Sequence, residues 1–135
     1  PAYNAEKTIS TAIESVIRQT YGNWQLIIVD DCSTDNTFSI ANRFADNDER
    51  ISVYRLPENS GNAKKPKDEG VYIAKGDYCI FLDSDDEITS DYLANANEKI
   101  SSDIDIVLFH TDIKDITPGA ISLPNGVLLA YSSSV

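Results

Sequence analysis

Short apolar runs alternate along this chain with segments whose apolar residues recur at helical spacing. The runs at 24–30, 51–56, 78–82 and 104–109 are typical of strands buried on both faces. The intervening segments predict helices over 5–20, around 40–45, over 68–74 and over 90–100. Strands and helices that alternate in this way predict βαβ units, and therefore an α/β fold with a mainly parallel sheet and helices on both faces.

Carboxylates follow two of these predicted strands. Asp30 and Asp31 end the first, and Asp83, Asp85 and Asp86 end the third. Because ligands bind to such sheets beyond the carboxyl ends of the strands, both clusters are expected to line one rim. Asp83 and Asp85 alternate in an extended segment, so they can converge on a hard cation such as Mg²⁺ or Mn²⁺. An acidic turn that caps the next helix explains the same cluster equally well.

The charge balance limits the partners of the chain. Its 11 Lys and Arg against 22 Asp and Glu give a net charge of −11, which argues against nucleic acid or an anionic membrane surface as a partner. An acidic chain that binds a phosphate ester needs a metal or local cations. No apolar run reaches the length of about 18 residues that a transmembrane helix requires. Cys32 and Cys79 lack a C-x-x-C pattern, so free cytosolic thiols are expected.

Four motifs then occur in order. They are Pro-Ala-Tyr-Asn at 1–4, Ile-Val-Asp-Asp-Cys-Ser-Thr-Asp at 28–35, Asn-Ser-Gly at 59–61, and a run from Gly76 to Asp86 that contains Phe-Leu-Asp-Ser-Asp-Asp. Together they resemble the family 2 glycosyltransferases of the GT-A fold, whose core is a Rossmann-like, mainly parallel sheet. The resemblance implies an inverting, metal-dependent transfer of a sugar from a nucleoside-diphosphate sugar, with UDP favoured, to a hydroxyl of a glycan or lipid-linked acceptor in bacterial-type polysaccharide synthesis.

The resemblance also implies roles for individual residues. Tyr3 would lie against the base of the nucleotide and Asp31 would hydrogen-bond that base, while Asp30 would support the loop. Asp83 and Asp85 would hold Mg²⁺ or Mn²⁺, with Asp85 in the more direct contact. The residues implied to bind the nucleotide-sugar are Pro1, Ala2, Tyr3, Glu6, Asp31, Lys67, Asp83 and Ser84.

The chain departs from the family pattern at two places. The family's arginine-containing segment is replaced by residues 61–70, where Lys64, Lys65 or Lys67 is expected to supply the charge. The part from 62 to 69 is expected to be a mobile loop that orders over the diphosphate. Cys32 stands where the family has glycine, and a left-handed backbone there would be strained.

The sequence offers no convincing catalytic base. Inverting transfer needs one, yet Asp112, Asp115 and His110 do not match the family's position. The base is therefore expected outside this chain. Residues 1–110 are expected to form the nucleotide-sugar-binding core, truncated at its first strand, and 111–135 to begin an acceptor-side region or tail. The expected location is cytoplasmic, with peripheral attachment to the inner membrane through parts that are missing here.

Other interpretations remain open at this point. One is a nucleotide-sugar-binding fragment that lacks catalysis. A haloacid-dehalogenase-type phosphatase also uses Asp-x-Asp after an apolar strand, although Glu87 stands where that motif has Thr or Val. A receiver-like phospho-acceptor domain pairs aspartates after a strand, but Lys114 fits its lysine position poorly.

Overall fold

The computed structural model describes residues 1–100. Its elements are α1 (Ile9–Ile17), β1 (Leu26–Asp30), α2 (Thr37–Ala45), β2 (Ile51–Arg55), α3 (Lys64–Ile73) and α4 (Tyr92–Lys99). Within that range no helix has the length and apolar character needed to cross a membrane. The predicted strand at 104–109, His110 and the division at residue 110 lie outside the described residues.

The two strands pair in parallel, with Leu26 opposite Ile51 at one end and Asp30 opposite Arg55 at the other. Because α2 connects them, they form the βαβ unit that the sequence predicts. On the opposite edge of β1, Ala2 makes an isolated parallel bridge with Asp30. The Ala2 N–H donates to the Val29 carbonyl at 2.9 Å. The start of the chain therefore lies along the carboxyl end of β1.

Helices cover both faces of the sheet, as predicted. Ile28 packs into the core formed with Ile9 and Ile13 of α1, Ala41 of α2 and Ile51 of β2. The next residue, Val29, points to the opposite face, since successive side chains alternate along a strand. There it meets α3, where a Cβ added at Gly70 would lie 3.7 Å from the Val29 side chain. This close approach places the second half of α3 against the end of β1.

The first helix is shorter than the predicted span of 5–20. A helix that began at residue 5 would have Asn4 as its N-cap, but Asn4 has a left-handed φ of 48° and Thr8 is the capping position. The residues between them form a turn, in which the Thr8 N–H donates to the Ala5 carbonyl at 3.1 Å. Beyond the helix, the Gln19 side-chain amide donates to the Thr89 carbonyl at 2.6 Å and accepts the Leu93 N–H at 2.9 Å.

The prediction of a strand at 78–82 is wrong for the described residues. No β-pairing within residues 1–100 includes this run, although its side chains are half-buried. An apolar run becomes a strand only when a neighbouring strand supplies the ladder, and near its carboxyl end the free edge of β1 pairs with Ala2 instead. The acidic residues that follow form a turn, closed by the Asp86 N–H on the Asp83 carbonyl at 3.1 Å.

The prediction of a loop over 62–69 is also wrong, because α3 begins at Lys64 rather than at 68. Pro66 is the third residue of the helix, where the backbone N–H has no partner within the helix and its loss costs nothing. Pro66 is also fully buried. Helix α2 begins at Thr37, three residues before the predicted start, and the remaining element ends differ from the predicted ones by two residues or fewer.

Cys32 has a φ of 59°, the left-handed conformation that the sequence suggested would be strained. A non-glycine residue pays about 1–2 kcal/mol there, whereas glycine loses about 0.5–1 kcal/mol more backbone entropy on folding. We therefore expect Cys32→Gly to raise the free energy of unfolding by about 0.5–1 kcal/mol, measured by urea denaturation. Cys32→Ala removes the thiol but keeps the Cβ, so it should give no such gain. A Cys32→Gly protein less stable than the parent would refute the strain.

Candidate functional site

A cavity of about 530 Å³ opens at the carboxyl end of β1. Its wall combines the start of the chain, the loop after β1, the loop before α3 with its first turn, and the acidic turn. The predicted site residues that line it are Pro1, Ala2, Tyr3, Asp31, Asp83, Ser84 and Asp85. The structure thus brings Asp31 of the first acidic cluster, Asp83 and Asp85 of the second, and Tyr3 to one concave surface.

Tyr3 is held at this cavity by the residues on either side of it. Ala2 is fixed by its bridge to β1. Asn4 donates its N–H to Ser33 Oγ at 3.0 Å, and its side-chain carbonyl accepts the Thr34 N–H at 2.9 Å. Asparagine tolerates the left-handed conformation that these bonds require. Tyr3 remains 49% exposed, so a flat ligand can stack on its ring.

Asp31 is buried and clamped by the Asn-Ser-Gly motif. Ser60 donates its N–H to one carboxylate oxygen at 2.8 Å and its hydroxyl to the other at 2.9 Å. Asn59 donates to the Asp31 carbonyl at 3.1 Å, and Gly61 makes the turn with a φ of +73°. Since an ionised carboxylate has about four acceptor positions, Asp31 keeps capacity for a donor from a ligand. The sequence showed the motif but not that its serine would hold Asp31.

Behind Asp31, an ion pair between the buried Asp30 and the partly exposed Arg55 supports the loop. Asp30 is completely buried, and one of its oxygens lies 3.4 Å from Arg55 Nε. The same oxygen accepts the Ser33 N–H at 3.2 Å, while Arg55 Nη2 donates to the Ser33 carbonyl at 2.6 Å. Asp30 and Arg55 therefore both hold Ser33, the residue that follows Cys32 in this turn. Sequence reasoning assigned the supporting role to Asp30 and missed Arg55.

Glu6 does not line the cavity. Its carboxylate accepts the Asn36 N–H at 3.1 Å and the Asn36 side-chain amide at 2.9 Å, at the start of α2. Beside it, Asp35 accepts the N–H groups of Glu6 and Thr37. Burial alone would raise the pKa of Asp35, but hydrogen bonds from Thr37 and Glu6 lower the pKa below its ordinary value. These bonds join the start of the chain to α2, so the contribution of Glu6 is to hold the framework beneath Tyr3.

Lys67 is the lysine of α3 that reaches the acidic turn. Its Nζ lies 3.1 Å from Asp83 Oδ1, and the two side chains are 19% and 26% exposed. Lys64 pairs instead with Asp68 on the surface, and Lys65 is exposed. Lys67 itself lines a neighbouring, more apolar cavity of about 610 Å³. Its ammonium therefore contacts Asp83 from the side of this neighbouring cavity.

The residues present fit a divalent cation that is shared with a ligand. Within residues 1–100, no three His, Cys, Asp or Glu side chains are grouped to hold a metal by themselves. Mg²⁺, however, is usually held by one or two carboxylates together with substrate phosphates. Asp83 and Asp85 offer hard oxygen donors at the same cavity. Asp85 is exposed, with no ion pair among the described residues, so it is the more available ligand.

Comparison with known proteins decides the family. The model of glycosyl transferase family 2 matches residues 1–131. The chain belongs to glycosyl transferase family 2. The phosphatase and receiver interpretations are thereby set aside.

Two relatives and one solved structure show which members of the family this chain is similar to. It is 45% identical over 93 residues to TuaG of Bacillus subtilis (strain 168), which carries the name of a teichuronic acid biosynthesis glycosyltransferase, covering 69% of this chain. It is 36% identical over 109 residues to glycosyltransferase GlyG of Streptococcus pneumoniae serotype 4, covering 80% of this chain. Crystal structures of S. aureus TarS 1–349 include one with UDP, which superposes with a TM-score of 0.77 at 29% identity over 87% of this chain.

These matches establish the GT-A fold for the family 2 chain. The chain spans 36% of the length of TuaG, of GlyG and of the TarS structure. A related TarS structure contains UDP-GlcNAc and superposes with the same TM-score of 0.77.

Proposed function

We propose that this chain is the donor-binding part of an inverting glycosyltransferase that uses a nucleoside-diphosphate sugar, with UDP as the favoured nucleotide. The observation that carries the proposal is the single cavity that unites an exposed aromatic ring, a buried carboxylate and the acidic turn. The aromatic ring and the buried carboxylate suit a nucleotide base, and the acidic turn suits a diphosphate with its cation. The binding of UDP and UDP-GlcNAc by TarS supports the choice of nucleotide.

Each part of the donor has a place in this proposal. The base lies on Tyr3, and its N–H donates to the carboxylate of Asp31. Ser84, Pro1 and Ala2 line the path from the base toward the acidic turn. Aromatic stacking on a base contributes about 1–3 kcal/mol and suits any base, so Asp31 would supply the selectivity.

The cation is proposed to be Mg²⁺ or Mn²⁺, held by Asp85 with support from Asp83. When bound, it neutralises the negative charge that develops on the diphosphate leaving group. This resolves the charge problem posed by the sequence, because a chain of net charge −11 repels a diphosphate. Lys67 adds a further positive charge beside Asp83.

The acceptor is proposed to be a hydroxyl of a glycan or a lipid-linked sugar in bacterial polysaccharide synthesis, in line with the name of TuaG. Deprotonation of this hydroxyl requires a catalytic base, which we place outside the described residues. We further propose that residues 1–110 form the donor-binding core and that the acceptor side begins at 111. A cytoplasmic location fits the free thiols of Cys32 and Cys79, with peripheral attachment to the inner membrane through parts outside this chain.

A two-part experiment tests the proposal. Calorimetric titration with UDP, ADP and GDP, each with and without Mn²⁺, should show metal-dependent binding of UDP that exceeds that of the others. Release of UDP from UDP-sugars by the full-length protein then measures turnover. Binding of UDP without turnover would favour the alternative of a donor-binding protein that lacks catalysis. This alternative is tested because the chain spans 36% of the length of TuaG. Absence of any metal-dependent nucleotide binding would refute the proposal.

A further inference from the structure

Ser60 holds the carboxylate of Asp31 without lining the cavity itself. Asp31 is 5% exposed and lies in the cavity wall. The Ser60 N–H donates to Asp31 Oδ1 at 2.8 Å, and the Ser60 hydroxyl donates to Asp31 Oδ2 at 2.9 Å. The described residues that line the cavity include Asn59, Gly61 and Asn62 but not Ser60. Any effect of the Ser60 side chain on a ligand in this cavity therefore passes through Asp31.

The hydroxyl of Ser60 has one proton and lies between two acceptors. Its oxygen is 2.9 Å from Asp31 Oδ2 and 2.8 Å from the Asn62 carbonyl oxygen, so it donates to only one of them at a time. Because Asn62 is exposed, water can take the place of Ser60 at its carbonyl. The bond to the ionised, buried carboxylate is the stronger one. The proton of the hydroxyl therefore goes to Asp31.

The loop that carries Ser60 is fixed by bonds of its own. The Asn59 side-chain amide donates to the Asp31 backbone carbonyl at 3.1 Å, and the Asn62 side-chain amide donates to the Ser60 carbonyl at 3.2 Å. The side-chain carbonyl of Asn62 accepts the N–H of Lys64, the first residue of α3, at 3.0 Å. The two donors of Ser60 are thus held at set positions, and they fix the plane of the Asp31 carboxylate.

We propose that Ser60 is a positioning residue that makes the donor site select uracil over cytosine. The inference rests on the proposed function, in which the base of the nucleotide contacts Asp31. With both oxygens held by Ser60, the remaining lone pairs of the carboxylate have a fixed direction and can only accept. Uracil presents a ring N–H to such a group. Cytosine has an unprotonated ring nitrogen at the same position, and two acceptors that face each other leave a buried polar group unpaired.

The orientation of the carboxylate matters because cytosine also carries a donor, the amino group beside that ring nitrogen. A carboxylate that was free to turn would accept from this amino group, and the discrimination between the two bases would shrink. Ser60 holds Asp31 against such a turn. The contact then remains one that uracil satisfies and cytosine does not.

Ser60→Ala tests this inference, since it removes the hydroxyl and keeps the backbone N–H that bonds Asp31. UDP and CDP share the ribose and the diphosphate, so the ratio of their affinities isolates the contact with the base. Calorimetric titration of the full-length protein with Mn²⁺ should show that the parent binds UDP more tightly than CDP. Ser60→Ala should lower this ratio about tenfold, the scale of one hydrogen bond to a charged group.

Three further variants serve as controls. Ser39→Ala should keep the parent ratio, because the Ser39 hydroxyl is exposed on α2 and donates to the Asn36 carbonyl. Ser60→Thr retains a hydroxyl and should also keep the ratio. Asp31→Asn should lower it, because the amide replaces one acceptor by a donor. If Ser60→Ala does not fold by circular dichroism, Ser60→Cys takes its place, since a thiol is a weak donor.

An unchanged ratio of UDP to CDP affinity in Ser60→Ala would overturn the inference, even if both nucleotides bind more weakly by the same factor. Equal loss of the ratio in Ser60→Ala and Ser60→Thr would overturn it too, as would a parent that binds UDP and CDP equally. If Asp31→Asn lowers the ratio and Ser60→Ala does not, the base contact of the proposed function stands and only the role of Ser60 falls. A parent that binds neither nucleotide would refute the proposed function, and this inference with it.

Discussion

Asp85→Asn should weaken the Mn²⁺-dependent binding of UDP by roughly 1–3 kcal/mol, the scale of a lost charge-assisted contact. Asp85 is exposed at the cavity and, among the described residues, is not engaged by a cation, whereas Asp83 already pairs with Lys67. Asparagine keeps the shape of the side chain and removes the charge that a divalent ion requires. In the full-length protein the substitution should nearly abolish sugar transfer.

The same substitution should make the protein slightly more stable in metal-free buffer, because it removes one of several like charges from the acidic turn. Asp46→Asn is the control, since it removes an equal charge from an exposed position at the end of α2. It should leave UDP binding and transfer unchanged. If Asp85→Asn binds Mn²⁺ and UDP as tightly as the parent, the acidic turn is better interpreted as a helix cap.

Arg55→Met should lower the free energy of unfolding by about 2–3 kcal/mol, less than the loss for a fully buried pair because the Arg55 side chain is 40% exposed. Methionine fills the space of the stem, but it removes the guanidinium that lies over the Phe38 ring and leaves the buried Asp30 carboxylate without its cation. The Ser33 carbonyl also loses its donor. Since these contacts fix the turn at Cys32, UDP binding through Asp31 should weaken as well.

Arg18→Met provides the comparison for urea denaturation. Arg18 forms ion pairs with Glu14 and Glu87 at 3.6 and 3.8 Å, and all three side chains are more than half exposed. Exposed pairs contribute about 0–1 kcal/mol, so this variant should stay close to the parent. Equal destabilisation by Arg18→Met and Arg55→Met would show that Arg55 has no special supporting role.

The sequence predicted the placement of the site better than the elements that carry it. Asp31 and Asp83 were expected together because of a general rule, that ligands of parallel sheets lie beyond the carboxyl ends of strands, and the cavity does unite them. The run at 78–82 was misjudged because apolar character marks a buried segment without showing whether a partner strand is beside it.

Other features depend on contacts that the order of residues does not reveal. Asn4 fits a helix cap and a left-handed turn equally well, and its bonds to the distant Ser33 and Thr34 select the turn. Arg55 meets Asp30 only through the register of β1 and β2. A lysine run around a proline suggests a loop, yet this segment is helical, with Pro66 buried in the first turn of α3.

A crystal structure of the chain with UDP and Mn²⁺ is the most direct test of the proposed donor site. We expect the base on the Tyr3 ring with its N–H on Asp31, and Mn²⁺ between the diphosphate and Asp85. UDP bound in the neighbouring cavity of about 610 Å³, or Mn²⁺ held without Asp85, would contradict it.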